Sequence, residues 1–185
     1  MNKLRNILLL AAVLAVSLPA MAQQKRISPH ETISAVVGGR GGNRVTITYG
    51  RPYTKDPKTG EARKIWGDLL KWDKAWRLGA DEATLLITQK PIVIGETTIP
   101  AGAYTLYFIP SENGTSKLAF TSNLGPWGVP VDQKHDVARV DAKKEALDTA
   151  VDQLTLDITG DDSGGGVIKI RWESTQFSVA FANKK

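Results

Sequence analysis

Cysteine is absent from the 185 residues of this chain. The absence excludes thiol catalysis, disulfide exchange and thiolate metal sites, because each of them needs a cysteine sulfur. It also removes the residue to which a lipid anchor is attached, so we expect no such anchor. A domain of this length can bury a core large enough to be stable without disulfides.

Histidine is almost as scarce, since His30 and His135 are the only two. A catalytic metal needs several histidine or carboxylate ligands at clustered spacing, and neither residue offers such a pattern in the sequence. The neighbouring acids Asp161 and Asp162 lack the spaced acids and the closing glutamate of a calcium loop. The sequence therefore predicts no metal and no other cofactor.

Two motifs that carry catalysis or phosphate binding are also missing. No serine lies in a Gly-x-Ser-x-Gly turn, so a Ser-His-Asp triad has no local support. The glycines of residues 38–42 are followed by a β-type pattern and by no Gly-Lys-Ser/Thr sequence, which favours a hairpin connection over a phosphate loop. The formal net charge of +5 is small and the basic residues are scattered, so nucleic acid is not expected as a partner.

The apolar run near the start of the chain covers residues 7–16 and is shorter than the ~18 residues that a membrane-spanning helix needs. Lys3 and Arg5 precede this run, and a proline and the small residues of an Ala-Met-Ala segment follow it. This order of charged, apolar and small residues predicts a cleavable signal peptide over residues 1–22. We therefore expect a periplasmic or secreted protein, with residues 23–185 forming a single β-rich domain without an integral membrane segment.

Alternating apolar and polar residues dominate the rest of the chain. Val45, Ile47 and Tyr49 share one face of a predicted strand, and two threonines occupy the other face. Similar runs cover residues 84–88, 92–94, 104–109, 117–121, 154–158, 167–172 and 177–181. Eight candidate strands with short connections predict an all-β fold, either an antiparallel β-sandwich or a jelly-roll-like domain.

Helical signals are weak and confined to two segments. Residues 141–151 contain good helix formers, and residues 64–76 place apolar side chains at helix-like spacings. We expect one or two short helices in the connections between strands. Residues 23–30 are predicted to be a flexible lead-in to the domain.

Polar residues beside apolar strand starts form the most distinctive pattern of the sequence. Residues 76–84 read Trp-Arg-Leu-Gly-Ala-Asp-Glu-Ala-Thr and run directly into an apolar strand. Arg77 and Glu82 flank residues that we expect to be buried, and an arginine there needs a carboxylate or a bound anion. Three further residues lie in segments of similar character: Arg51, Asp136 and Arg139. We hypothesise that the five form one polar cluster, either a ligand site or a structural ion-pair network.

Tryptophan gives a second signal for ligand binding, because tryptophan beside polar side chains can stack on sugar rings. Trp76 precedes Arg77, and Trp127 is expected to be exposed because glycine and proline flank it. Core packing is the alternative for both residues. The candidate ligand-binding residues are Arg51, Trp76, Arg77, Glu82, Trp127, Asp136 and Arg139, and no catalytic residue is assigned.

Five motifs occur in order along the chain: Tyr49-Gly50-Arg51-Pro52, Ile65-Trp66-Gly67, Trp76-Arg77-x-Gly79-Ala80-Asp81-Glu82-Ala83-Thr84, Ile99-Pro100-Ala101-Gly102-x-Tyr104-x-Leu106 and Asp136-Val137-x-Arg139-Val140. Together they resemble the bacterial exported family known as domain of unknown function 2911, over about residues 28–181. That family usually has asparagine where this chain has Asp81. The resemblance implies an exported β-rich domain and carries over no catalytic residue.

These patterns favour a non-enzymatic binding module for a carbohydrate or a small anionic ligand. One alternative is a hydrolase of the cell envelope that uses Glu82 or Asp136 as general acid or base. A second alternative is a structural or protein-interaction domain of the envelope, which a large exposed apolar patch would favour. The sequence leaves the ligand and the oligomeric state open.

Overall fold

Nine strands form the regular structure of residues 26–185, which are the residues that the computed structural model describes. The strands are β1 (His30–Val37), β2 (Asn43–Gly50), β3 (Thr84–Thr88), β4 (Ile92–Ile94), β5 (Thr97–Ile99), β6 (Gly102–Ile109), β7 (Ser116–Thr121), β8 (Asp136–Gly160) and β9 (Gly165–Asn183). The all-β class predicted from the sequence is confirmed. The expected signal peptide, residues 1–22, lies outside the described residues.

All neighbouring strands pair antiparallel, in the order β1-β2-β3-β6-β7-β8-β9-β4-β5. β8 belongs to two layers, because its residues 136–142 pair with β7 and its residues 143–160 pair with β9. β1, at the far edge of the first layer, approaches β8 and β9. The result is a sandwich-like fold that does not close into a barrel.

The core lies between the two layers and follows the alternation of the strands. Val45, Ile47 and Tyr49 of β2 are buried, as their period of two predicts. Leu156 of β8 and Ile170 of β9 oppose each other in register and are buried as well. The inward faces of both layers therefore meet in one hydrophobic cluster.

The predicted short helices are wrong, because no helix occurs in residues 26–185. Residues 141–151 lie inside β8, where pairing with β7 and β9 outweighs their modest helix propensity. Residues 64–76 form a loop with isolated bridges from Trp66 to Leu70 and from Trp76 to Phe108. Their apolar side chains pack on the core without a helix.

Strand boundaries also differ from the prediction in places. The two runs at residues 167–172 and 177–181 belong to one strand, β9, and the sequence missed β1 and β5. The predicted lead-in, residues 23–30, ends within β1, since His30 is the first residue of that strand. In the described part of the chain, no helical segment is long and apolar enough to cross a membrane.

Candidate functional site

A cavity of about 590 Å³ lies between the loops at one end of the sandwich. Its walls come from the β2–β3 connection, from the loop of residues 128–131 and from the short segment of residues 27–28. The volume is in the range of small-molecule sites. Trp76 and Arg77 line it, so two of the predicted site residues lie at its wall.

Stacked tryptophans form the apolar wall of the cavity. The rings of Trp76 and Trp172 lie 5.8 Å apart at 26°, and Trp66 meets Trp76 edge-on at 6.4 Å. The backbone of Trp76 is fixed by two hydrogen bonds to Phe108, with N···O distances of 2.8 and 2.7 Å. The indole N–H of Trp172 is buried and has no hydrogen-bond partner among the described residues. The wall is therefore an aromatic surface whose rings pack on one another.

Arg77 supplies the main polar group of the cavity. Its guanidinium donates to the backbone oxygens of Gly79 and Trp127, each at 3.3 Å. No carboxylate lies within 4.0 Å of it in the part of the chain that the structure describes. Gly128 lets the opposite loop close over this side chain, because a Cβ at that position would lie 2.9 Å from Arg77 Cβ. The positive charge of Arg77 is thus held at the cavity, and no side chain of the described range neutralises it.

Arg63 is a second cation at the wall, which the sequence analysis missed. It donates to the backbone oxygens of Tyr53 at 2.6 Å and Thr54 at 3.2 Å, and its nearest carboxylate, Asp56, is 3.9 Å away. Among the described residues that line the cavity there is no carboxylate and no histidine. The arrangement favours an anionic group over a cation in this space.

Arg51 lies in a different group, on the edge between the two layers. Its guanidinium donates to the Leu154 oxygen and the Thr155 hydroxyl, both at 3.1 Å, and lies 3.3 Å from Glu31. The Tyr49 hydroxyl donates to the same Glu31 carboxylate at 2.7 Å, and burial together with this bond raises the pKa of Tyr49. The group fastens β2 to β8 and to β1.

Glu82 belongs to a third group, with Arg26 and His30. The guanidinium of Arg26 binds both carboxylate oxygens of Glu82, and it lowers the pKa of Glu82 to about 2. His30 Nε2 lies 3.2 Å from Glu82 and 3.7 Å from Asp81. Glu82 is therefore ionised at neutral pH, and it does not line the cavity.

Asp136 and Arg139 form a fourth group at the start of β8. The Tyr107 hydroxyl and Arg139 Nε both donate to one oxygen of Asp136, at 2.5 Å each. Burial, with the Asp136 bond as the next cause, raises the pKa of Tyr107. This group links β6 to β8, and neither Asp136 nor Arg139 lines the cavity.

The structure thus does not bring the predicted residues into one cluster. Trp76 and Arg77 lie at the cavity, and Trp127 contributes its backbone oxygen beside it, with a side chain that is 57% exposed as predicted. The remaining four residues lie in three separate groups: Arg51 in one, Glu82 in another, and Asp136 with Arg139 in the third. In residues 26–185, no hydrogen bond or ion pair joins these groups to one another. Sequence analysis missed Trp172, because its period-two pattern indicated only a core strand.

The chain matches the family model described as Protein of unknown function (DUF2911) over residues 28–181, and it belongs to that family. The match confirms the resemblance carried by the five motifs. No curated protein and no solved structure matches the chain. Function therefore has to be argued from the geometry of the site.

Proposed function

We propose that this member of the family is an exported, non-enzymatic binding module whose cavity takes a small anionic ligand with a flat apolar face, such as an acidic sugar. The observation that carries the proposal is the pairing of Arg77, which has no carboxylate partner in residues 26–185, with the aromatic wall of Trp76. A ring packs on the tryptophan face, and a carboxylate accepts from the guanidinium.

The charge balance of the cavity supports an anion as the ligand. Arg63 and Arg77 both line the cavity, and no acid does so among the described residues. Partial burial strengthens a charge-assisted hydrogen bond, because fewer water molecules compete for the guanidinium. Both arginines are already anchored by backbone oxygens, so little side-chain freedom is lost when a ligand binds.

The hydrolase alternative has less support. Glu82 and Asp136, its candidate acids or bases, lie outside the cavity lining. A general acid near neutral pH needs a raised carboxyl pKa, whereas Arg26 lowers that of Glu82 to about 2.

Export is proposed from the order of charged, apolar and small residues over positions 1–22.

Matched sugar pairs test the proposal. Glucuronate and galacturonate differ from glucose and galactose by the carboxylate, and each is titrated while thermal unfolding of the purified protein is followed. A ligand at 100 times its dissociation constant adds about 2.7 kcal/mol to the unfolding free energy. We expect the acidic member of a pair to raise the Tm by roughly 5–10 °C and the neutral member to raise it less.

Substitution of Arg77 provides the decisive comparison. Arg77→Ala should weaken binding of the acid roughly 10- to 100-fold, which lowers its Tm shift to about half or less, and should leave any weak response to the neutral sugar. Arg40→Ala removes an equal charge from the exposed turn after β1 and should change neither response. An equal response of both variants to the acid, or no response of the wild type to any anion, would contradict the proposal. The interaction-domain alternative would then gain weight, with exposed Leu124, Trp127 and Val129 as its support.

A further inference from the structure

The group around Glu82 brings a histidine and two carboxylates close together, which ion pairing with Arg26 alone does not require. His30 Nε2, one oxygen of Asp81 and one oxygen of Glu82 lie within 4.8 Å of one another. The Nη1 atom of Arg26 contacts all three residues, at 3.1 Å from His30, 3.8 Å from Asp81 and closest to Glu82. Three potential ligand atoms therefore converge on one position, and a cation of the protein itself occupies that position.

The contact with Arg26 is made by the ring nitrogen Nε2 of His30, which lies 3.1 Å from Arg26 Nη1. An unprotonated imidazole nitrogen is also the atom through which histidine binds a metal ion. The nitrogen that a metal would need therefore faces the position that the guanidinium takes.

The separations between the three side chains fit ligands of a small divalent ion. His30 Nε2 lies 3.2 Å from the Glu82 oxygen and 3.7 Å from the Asp81 oxygen. Ligands at the usual zinc distances are about 3.3–3.6 Å apart around a tetrahedral centre. Atoms at this spacing can bind one central ion after small side-chain rotations.

The backbone holds the ligand atoms together independently of Arg26. Gly50 is the register partner of His30, and its carbonyl accepts the Ala80 N–H at 3.2 Å. A Cβ at position 50 would lie 2.1 Å from the Ala80 oxygen and 2.9 Å from His30 Nε2. The absence of a side chain at Gly50 therefore lets the loop that carries Asp81 and Glu82 approach the histidine.

We propose that His30, Asp81 and Glu82 form a binding site for Zn²⁺, which competes with the guanidinium of Arg26 for the same position. Zinc carries twice the charge of arginine and binds at about 2.0–2.2 Å, closer than a hydrogen-bonded guanidinium. One imidazole and two carboxylates suit a borderline metal ion, and three protein ligands leave a fourth position for water. The site shares no residue with the cavity lining, so its test is independent of the ligand proposed for the cavity.

Calorimetric titration of ZnCl₂ into chelator-treated, purified protein tests the site. We expect one zinc ion per chain, at least tenfold tighter binding by Arg26→Ala, and at least 100-fold weaker binding by His30→Ala. Titration with CoCl₂ gives a second readout, because tetrahedral cobalt has intense visible absorption that protein without metal lacks. Mg²⁺ should bind far more weakly than Zn²⁺, since it prefers octahedral oxygen ligands.

His135→Ala is the matched control, because His135 Nδ1 pairs with Asp132 at 2.7 Å but has no third potential ligand among the residues that the structure describes. This variant should bind zinc as the wild type does, and circular dichroism checks that every variant is folded. Binding by Arg26→Ala alone would support the site, with arginine as the stronger competitor. Absence of binding in both the wild type and Arg26→Ala, or equal weakening by His30→Ala and His135→Ala, would overturn the proposal.

Discussion

The arginines of the scaffold and the arginine at the cavity differ in what neutralises them. Arg51 lies 3.3 Å from Glu31, and Arg139 lies 2.5 Å from Asp136. Arg77 donates only to backbone oxygens within the described residues. Paired arginines fasten strands to one another, whereas the charge of an arginine anchored only by carbonyl groups is not balanced by a carboxylate. The comparison teaches that the partner of an arginine distinguishes the strand-fastening residues from the arginine that we propose as a ligand contact.

Trp172 does not fit the division between scaffold and cavity, because it belongs both to the core and to the cavity wall. Its substitution should therefore have the largest effect. Trp172→Ala should lower the unfolding free energy by about 3–5 kcal/mol, since the side chain is buried and stacked on Trp76. The Tm should fall by roughly 6–20 °C, and anion binding should weaken as well. Calorimetry of unfolding measures the first effect, and a Tm change below about 2 °C would contradict it.

Separate substitutions of Arg51 and Arg77 should have different effects on stability and on ligand binding. Arg77→Ala should weaken binding of the anionic ligand by roughly 10- to 100-fold, because a charge-assisted hydrogen bond is lost. Its effect on unfolding should be about 1 kcal/mol, because it loses two hydrogen bonds to backbone oxygens but no ion pair. Arg51→Ala should cost about 1–3 kcal/mol of stability, since it removes contacts to Leu154, Thr155 and Glu31, and should leave binding unchanged. Urea unfolding and ligand titration on the same samples measure both effects. Weaker ligand binding by Arg51→Ala than by Arg77→Ala would contradict the comparison.

Substitution of Tyr49 should affect the stability of the fold and not ligand binding. Its hydroxyl donates to Glu31 and accepts the Leu156 N–H at 2.9 Å. Tyr49→Phe leaves that buried N–H without a partner and should cost about 1–2 kcal/mol. Tyr53→Phe removes the hydroxyl of an exposed tyrosine and should cost less than ~0.5 kcal/mol. Equal unfolding midpoints in urea for the two variants would contradict the structural role of Tyr49.

The smallest expected effect is the loss of stability at low pH that results from protonation of Glu82. Its pKa is about 2 in the folded protein against an ordinary value of 4.5, so folding favours the ionised form. The resulting stabilisation is complete above pH 4.5 and is lost as the pH falls from about 4.5 towards 2. The unfolding free energy of the wild type should therefore decline more steeply over this range than that of Glu82→Gln. Parallel slopes in urea titrations at pH 6 and pH 3 would contradict the Arg26 pairing.

Most strands could be predicted because their side chains alternate between two environments. β3 and β4 match their predicted bounds, Thr84–Thr88 and Ile92–Ile94, since each is short and flanked by turn residues. The first half of β8 was missed because residues 141–151 contain good helix formers and were predicted to be helical. Pairing with β7 up to residue 142 and with β9 from residue 143 decides between the two structures.

The site was predictable only in part. Trp76 and Arg77 are adjacent in the sequence, and the local pattern was enough to single them out. Arg63 lies in a charged loop that has the composition of a solvated surface, so nothing local indicated the cavity. His30 meets Glu82 only through the β1–β2 register at Gly50, a contact between distant residues that a single sequence does not reveal.

The pairing of β4 with β9 also constrains how the chain is made. Ile92 lies opposite Asn183, so β4 leaves the ribosome long before its partner exists. At the usual rate of synthesis the interval is roughly 4–18 s, during which an apolar Ile-Val-Ile segment has no partner from β9. Pro91 and Glu96 flank that segment and oppose pairing between nascent chains. The small sheet is therefore completed only once β9 has been synthesised, and the flanking residues oppose wrong pairing of the segment until then.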